Sequence, residues 1–310
     1  PTLIFQGASV SPTLAQRDEL FGGYIRHLGV RYGSNWRLLP KPLRKLLSIV
    51  IGVLPRNEAF KRGVYSLDVP NRMKRYQNVF SLMPEEKIDG LFKEGLLPKN
   101  AGDTILECWK GLEPLMQETD ELGGFQFLEV RSSLPDELLL FGDKLSMAHG
   151  LEVRVPYLDR EIVEYVERLP AHFKVFKGSR KKLHRRLCSA YLPAQIIGRK
   201  KRGFAVNVVD GWFKSSLSKK AEDYFLSNDS MIYKYLRQGV VSELLDQHVS
   251  RKADNYKILS SLLILEEWLR QAEMVNAYQT FVPISISSES AHFKKQGRKG
   301  EQAINGIPGF

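Results

Sequence analysis

Between residues 36 and 130 proline returns at nearly even intervals, at Pro40, Pro55, Pro70, Pro84 and Pro98. Each removes a backbone N–H and crowds the preceding turn, so no helix runs through it. Within this region Ile105, Leu106, Trp109 and Leu112 recur at helical spacing. The pattern therefore predicts several short, separate helices. No internal repeat and no series of alternating strands appears elsewhere, and no parallel sheet with its own phosphate loop is visible. The expected fold class is mainly α. With 310 residues, of which 43% are hydrophobic, the chain can bury a real core in one large domain or two ordinary ones.

Further elements follow from local signals. Residues 1 to 17 read as loop. Pro135 with Asp136 and Glu137 marks a helix start, the acids meeting the positive end of the helix dipole. Asp159 can cap a helix whose apolar face is Ile162, Val163, Val166 and Leu169, ending at Pro170. Lys181 to Tyr191 reads as a basic helix. Asp210 to Phe225 and Val240 to Val249 read as amphipathic helices. Ile258 to Leu269 is apolar nearly all round and is expected to be buried. From Val282 onward Ser, Gly, Gln and Lys dominate, the composition of a mobile tail.

Membrane and redox signals are sparse. The longest apolar run, Leu46 to Leu54, covers nine residues, half of what a bilayer crossing needs. The stretch Lys41 to Arg56 is expected to be a buried helix bracketed by Pro42 and Pro55; the alternative is a basic amphipathic helix on a membrane surface. No signal peptide opens the chain. Two cysteines, Cys108 and Cys188, exclude a disulfide framework and a multi-cysteine zinc site. A reducing, cytoplasmic setting is the expectation.

The net charge of +11 is concentrated. From Lys174 to Arg202 there are eleven Lys and Arg and no acid, so the remainder is neutral, 35 basic residues against 35 acidic. A block of this kind suits an anionic partner such as a phosphate; a solvated basic face with no partner is the other reading. Nucleic acid would want aromatics among the basic residues for stacking; Phe173, Phe176, Tyr191 and Phe204 give it modest support, and it is the least favoured of the anionic partners.

Two segments carry candidate chemistry. Asp18-Glu19-Leu20-Phe21-Gly22-Gly23-Tyr24 sets carboxylates beside a glycine pair. From Leu134 to Asp159, Asp143, Lys144 and Ser146 share one helical turn, and Glu152 and Arg154 would share a face of an extended segment. Spacing alone also fits a structural ion-pair network.

The second segment resembles the synthetase domain of the glutamine-hydrolysing asparagine synthetases, in the pattern Leu-Pro-Asp, Asp-Lys with Ser-Met-Ala, then Leu-Glu-x-Arg-Val-Pro-Tyr-Leu-Asp. Other blocks agree in order: Asp18 to Tyr24; Gly178-Ser179-Arg180-Lys181 with Arg185; Arg199-Lys200-Lys201-Arg202-Gly203-Phe204 with Trp212; and Glu266-Glu267-Trp268. The resemblance covers roughly residues 9 to 272. The section with Tyr24-Ile25-Arg26-His27 is similar to a bacterial branch found near polysaccharide-biosynthesis genes.

The resemblance implies an α/β adenine-nucleotide-binding fold of the ATP-pyrophosphatase type, of which this chain is a truncated portion. It implies ATP and Mg2+. The implied reaction adenylates the aspartate side chain, releases pyrophosphate, and lets ammonia from glutamine displace AMP. Carried over by position, Lys181 is the lysine that stabilises developing charge. Asp18 and Glu19 are the carboxylates at the pyrophosphate end, Asp18 also facing magnesium. Asp143, Glu152, Arg154 and Arg185 are substrate-side, site-shaping positions. Lys181 on its own would read as a surface lysine, and the carboxylate amidated is left open.

The family's Ser-Gly-Gly-x-Asp-Ser loop, whose backbone N–H groups cradle phosphates, appears nowhere in the sequence. Nor does a leading cysteine for glutamine hydrolysis, since residue 1 is Pro1. Ala15 stands where the family has a further carboxylate, and Arg17 where it has a small residue. The expected organisation is a remnant of the nucleotide-binding part over 1–24, a helical synthetase region over 25–283 and a flexible basic tail over 284–310. Alone, such a chain is expected to be inactive, and to pair with the missing half, a partner chain or itself. A non-catalytic homologue or basic binding module for anionic partners is the alternative.

Overall fold

The computed structural model describes residues 3–5, 8–12, 17–54, 57–97, 101–198 and 223–281. The fold is mainly helical. Helices α1 (Arg17–Phe21), α2 (Ile25–Leu38), α3 (Lys41–Val53), α4 (Glu58–Leu67), α5 (Arg72–Phe80), α6 (Glu85–Leu91) and α7 (Asp103–Trp109) follow one another, with Pro40, Pro70 and Pro84 in the breaks. Helix α8 (Glu121–Arg131) leads through a π-helical stretch, Leu134–Leu139, into α9 (Leu140–Met147). After α10 (Arg160–Arg168), α11 (Ala171–Lys174), α12 (Lys182–Cys188) and α13 (Ala194–Ile197), the last named helices are α14 (Gln238–Val249) and α15 (Tyr256–Phe281).

Capping explains several boundaries. Asp159 accepts from Glu161 N at 3.0 Å and Ile162 N at 3.5 Å, so it starts α10 as its sequence position requires. Asp120 accepts from Gly123 N at 2.7 Å and Asn71 from Lys74 N at 2.9 Å, starting α8 and α5.

A three-stranded sheet corrects the loop expected before residue 18. Strand β1 (Leu3–Phe5) pairs antiparallel with β2 (Ala8–Pro12), and β2 pairs parallel with β3 (Leu151–Arg154), Val10 opposite Glu152. A strand whose main partner lies far along the chain carries little local periodicity, so its sequence reads as loop. The extended geometry foreseen for Glu152 and Arg154 is that of β3.

Buried side chains form separate clusters. Val30, Met73, Tyr76, Trp109, Phe125 and Leu128 knit α2, α5, α7 and α8. Leu20, Phe21 and Val166 join α1 to α10. Ile232, Leu236, Val241, Leu245, Leu259 and Leu262 form the C-terminal core. There Glu266 is buried and accepts from Met231 N at 3.1 Å and Ile232 N at 2.9 Å.

Two burial expectations are overturned. Helix α15 is not buried all round: Trp268 is 61% exposed, and Ile264 is exposed beside it, because only one stripe of a helix at the edge of the C-terminal core finds a partner. Helix α3 buries none of its residues, although its composition is that of a core helix. It packs on α4, with Leu47 and Ile51 half-buried, while Leu46, Ile49, Val50 and Val53 stay exposed. Most of the expected Asp210–Phe225 helix, the Arg199–Phe204 and Trp212 block, and the tail from Val282 lie outside the described residues.

Candidate active site

A two-residue turn brings the central cation into place. Phe176 and Ser179 exchange backbone hydrogen bonds of 3.0 and 2.9 Å, while Lys177 (φ 47°) and Gly178 (φ 74°) occupy left-handed conformations. This is the geometry of a type I′ turn, whose second position favours glycine. The turn delivers Arg180 and Lys181 against α1. Arg180 Nη1 donates to Gly23 O at 2.8 Å, linking segments 157 residues apart. Lys181 Nζ pairs with Asp18 Oδ1.

Lys181 is itself left-handed, φ 55° and ψ 38°, at the start of α12. That conformation costs an L-residue about 1–2 kcal/mol, so surrounding contacts hold it there. The neighbouring glycines are required by space. A Cβ on Gly23 would overlap Asp18 and Lys181 side chains. Gly22 has φ 74°, and a Cβ on it would lie 2.7 Å from Val175 Cγ2. The glycine pair therefore lets α1, the turn and the chain after α11 converge.

Beneath this pair lies a buried polar network. Glu19, 1% exposed, accepts from the Tyr24 hydroxyl. Its Oε2 is buried without a hydrogen-bond partner among the described residues. Burial pushes the Glu19 carboxyl above its ordinary value; the Tyr24 hydroxyl opposes that, and Glu129 and Asp18 add to it. Burial and Glu19 likewise push the Tyr24 phenol up. Gln126 donates to Glu19 O at 2.5 Å and Leu20 O at 2.9 Å, tying α1 to α8.

Glu129, 0% exposed, is the anchor of the network. Arg26 Nε donates to its Oε1 at 2.8 Å, and His27 Nε2 lies 2.7 Å from its Oε2. Because His27 Nδ1 accepts from Tyr24 N at 3.3 Å, Nε2 carries the proton toward Glu129. Burial works to raise the Glu129 carboxyl, but His27 and Arg26 outweigh it and hold it below its ordinary value. The Arg26 guanidinium also sits 4.0 Å from the centroid of the Tyr24 ring.

The other sequence-derived positions lie apart from this cluster. Asp143 is exposed on α9, where its carbonyl accepts from Ser146 Oγ at 3.1 Å. Glu152 and Arg154 pair with each other at 2.6 Å on β3. Arg185 Nη2 donates to Ile197 O at 2.9 Å, joining α12 to α13. The structure thus gathers Asp18, Glu19 and Lys181, and leaves Asp143, Glu152, Arg154 and Arg185 outside the pair. Sequence reasoning overlooks Gln126, Glu129 and the role of Arg180. The available signal was the polar pair Gln126 and Glu129 inside the apolar run from Phe125 to Val130.

A model of the asparagine synthase family matches residues 18–270. The chain belongs to that family. It is 25% identical over 276 residues to asparagine synthetase [glutamine-hydrolyzing] 1 of Bacillus subtilis, covering 88% of this chain and 41% of that protein. It is 28% identical over 257 residues to a putative asparagine synthetase [glutamine-hydrolyzing] of Mycobacterium tuberculosis, covering 81% of this chain and 37% of the relative. The hamster Mesocricetus auratus asparagine synthetase is 38% identical over 96 residues, 28% of this chain and 17% of its own length. No solved structure matches. The chain spans about two fifths of the length of the first of these relatives.

The family uses ATP, and the residues present define what they could offer it. Lys181 and Asp18 are partly open, their side chains 13% and 18% exposed. Among the described residues no three His, Cys, Asp or Glu gather into a metal cage. A carboxylate such as Asp18 nevertheless suits Mg2+ shared with phosphates, which needs only one or two protein carboxylates. Glu19 is too deeply buried to face such an ion unless α1 moves. Among the described residues no helix is long and apolar enough to cross a membrane.

Proposed function

We propose that this chain is the helical portion of an ATP-dependent carboxylate–ammonia ligase of the asparagine synthetase type. It would work with a nucleotide-binding segment that carries the Ser-Gly-Gly-x-Asp-Ser loop, in the same polypeptide or another. The observation that supports this most is the Lys181–Asp18 pair: two family-motif residues, far apart in sequence, meet through a left-handed lysine and a glycine with no room for a side chain. A strained backbone held in this way is characteristic of a functional site.

In this reading the Lys181 ammonium, a point charge on a flexible stem, is the cation for charge developing as the substrate carboxylate attacks the α-phosphorus of ATP, the α–β phosphoanhydride bond breaks and pyrophosphate leaves. Asp18 holds that ammonium in place before substrate arrives, and is the carboxylate that would ligate Mg2+, whose chemistry is to neutralise phosphate charge. Glu19 acts from beneath as a positioning residue through Tyr24. Aspartate is the substrate and glutamine the ammonia source. Glu152, Arg154, Asp143 and Arg185 shape the substrate side once the nucleotide-binding segment packs against β3 and α9.

The basic block counts against a pure binding module. Lys174 is buried, and Arg180 and Lys181 turn inward to Gly23 and Asp18, so this part of the block is not a free anionic docking face. The test is complementation. With a nucleotide-binding segment supplied, ATP, aspartate and ammonia should yield AMP, pyrophosphate and asparagine. Lys181→Ala should abolish this with the circular dichroism spectrum unchanged, and Lys181→Arg should not restore it. Activity of Lys181→Ala equal to that of the unaltered chain would exclude the assigned role.

A further inference from the structure

Helix α3 is apolar on both sides: Leu47 and Ile51 are half-buried, and a second apolar stripe is exposed. On a surface helix of a water-soluble domain the apolar stripe faces the core and the charges face solvent. Here Arg44, its side chain 12% exposed, turns inward to pair with Asp68 at the end of α4. Ser48 Oγ bonds back to Arg44 O at 2.7 Å on the same helix. The outward face carries Leu46, Ile49, Val50 and Val53, at the i, i+3, i+4, i+7 spacing of one stripe. Ile49 is 58% and Val53 79% exposed, and the stripe continues into exposed Leu43.

The border of the stripe is basic. Lys41 and Lys45 are exposed beside it, and α3 contains no acid. From residue 26 to 62 nine Lys and Arg stand against a single acid, Glu58. A second copy of the chain seated on this face would bring the two lysine borders together, in a protein whose net charge is already +11. An exposed apolar stripe flanked by lysines instead complements a surface that is apolar inside and negative at its rim. No described helix can cross a bilayer, so the contact is one of lying on it.

We propose that α3 docks this chain onto an anionic lipid bilayer. The helix lies in the headgroup plane, with Leu46, Ile49, Val50 and Val53 entering the acyl boundary and Lys41 and Lys45 meeting lipid phosphates. Helix α3 packs on α4, whereas α12, which Lys181 opens, packs on α1 and α11, so this face is separate from the Lys181 region and independent of the ligase reading.

Flotation of the full chain with vesicles tests this. The chain should rise with phosphatidylcholine–phosphatidylglycerol vesicles, more weakly with pure phosphatidylcholine, and less as salt increases. The double variant Ile49→Glu/Val53→Glu should lose at least about tenfold in partition with unchanged thermal unfolding. Lys41→Glu and Lys45→Glu should each lose about fivefold. Three outcomes would overturn the proposal. The chain could fail to float. Flotation could be indifferent to Ile49→Glu/Val53→Glu, placing binding on the basic block instead. Or sedimentation could reveal a dimer that the double variant splits, making a second copy the occupant.

Discussion

Helices α2 and α3 are neighbours in sequence and opposites in construction. Helix α2 spends its polar residues inward, Arg26 and His27 on the buried carboxylate of Glu129, and buries Val30 in the core around Tyr76 and Phe125. Helix α3 half-buries only Arg44, Leu47, Ser48 and Ile51 and leaves a second apolar stripe, Leu46, Ile49, Val50 and Val53, in solvent. The contrast shows that hydrophobic content does not identify what a fold depends on. The more polar helix is the one wired into the molecule. The more apolar helix is attached by one side and offers the other.

The largest effect should come from cutting that wiring. Glu129→Ala leaves the buried His27 ring without its acceptor and releases Arg26, which is already one-third exposed, and should lower unfolding free energy by about 1–3 kcal/mol in urea. The pH dependence has a definite sign. Because its folded-state value is depressed, Glu129 contributes stability that is fully present above the ordinary carboxylate range. That stability is lost as pH falls through the folded value. Glu129→Gln should therefore flatten the acid limb of a stability–pH curve. An acid limb unchanged in this variant would mean that α2 is not held by this carboxylate.

Lys174 sharpens the comparison from the other side, as a charge the interior would do better without. It is 2% exposed, and burial depresses its ammonium to about 8, against the pull of Asp120 and Glu167. The unfolded chain then binds more protons between pH 8 and the ordinary lysine range, so stability rises with pH across that window. Lys174→Met should stabilise the protein by about 1–3 kcal/mol at pH 7 and remove the rise. Glu19 is the acidic counterpart. Its raised value makes stability greatest below the ordinary carboxylate range and diminishing as pH climbs through the folded value. Glu19→Gln should gain about 1 kcal/mol at pH 7 while lowering ligation in the complemented protein, a trade expected where a buried carboxylate serves function. A loss of stability instead would assign Glu19 to structure alone.

Elements set by a local signal were legible in the sequence. Asp159 caps α10, prolines divide α3 through α6, and Glu152 and Arg154 share the face of a strand. What depends on distant partners was not. Strand β2 exists through its pairing with β3, and Glu129 is explained by Arg26, 103 residues away. The Lys181–Asp18 pair stands between these cases: its members were marked by resemblance to a family motif, but the left-handed backbone and the crowding at Gly23 that hold them together leave no trace in spacing. Helix α3 was misplaced for another reason. Composition records how apolar a helix is, and α3 has two apolar sides, of which the one with Leu47, Ile51 and Arg44, paired to Asp68 at the end of α4, is half-buried.

The smallest effect is the one most specific to α3. Ile49→Gln removes an apolar side chain that is already in water, so little transfer free energy is at stake on folding. Glutamine is also a slightly better helix former than isoleucine. Thermal unfolding of the isolated chain should therefore shift by no more than about 0.5 kcal/mol, in either direction. The same substitution at a core position would cost several times more, because a cavity and an unpaired amide would follow. A loss above about 2 kcal/mol at Ile49 would mean that α3 packs against the protein in solution and that its outward face is covered. No loss, together with retained secondary structure, would leave the apolar face as a surface the fold maintains without using, which is the property a docking helix requires.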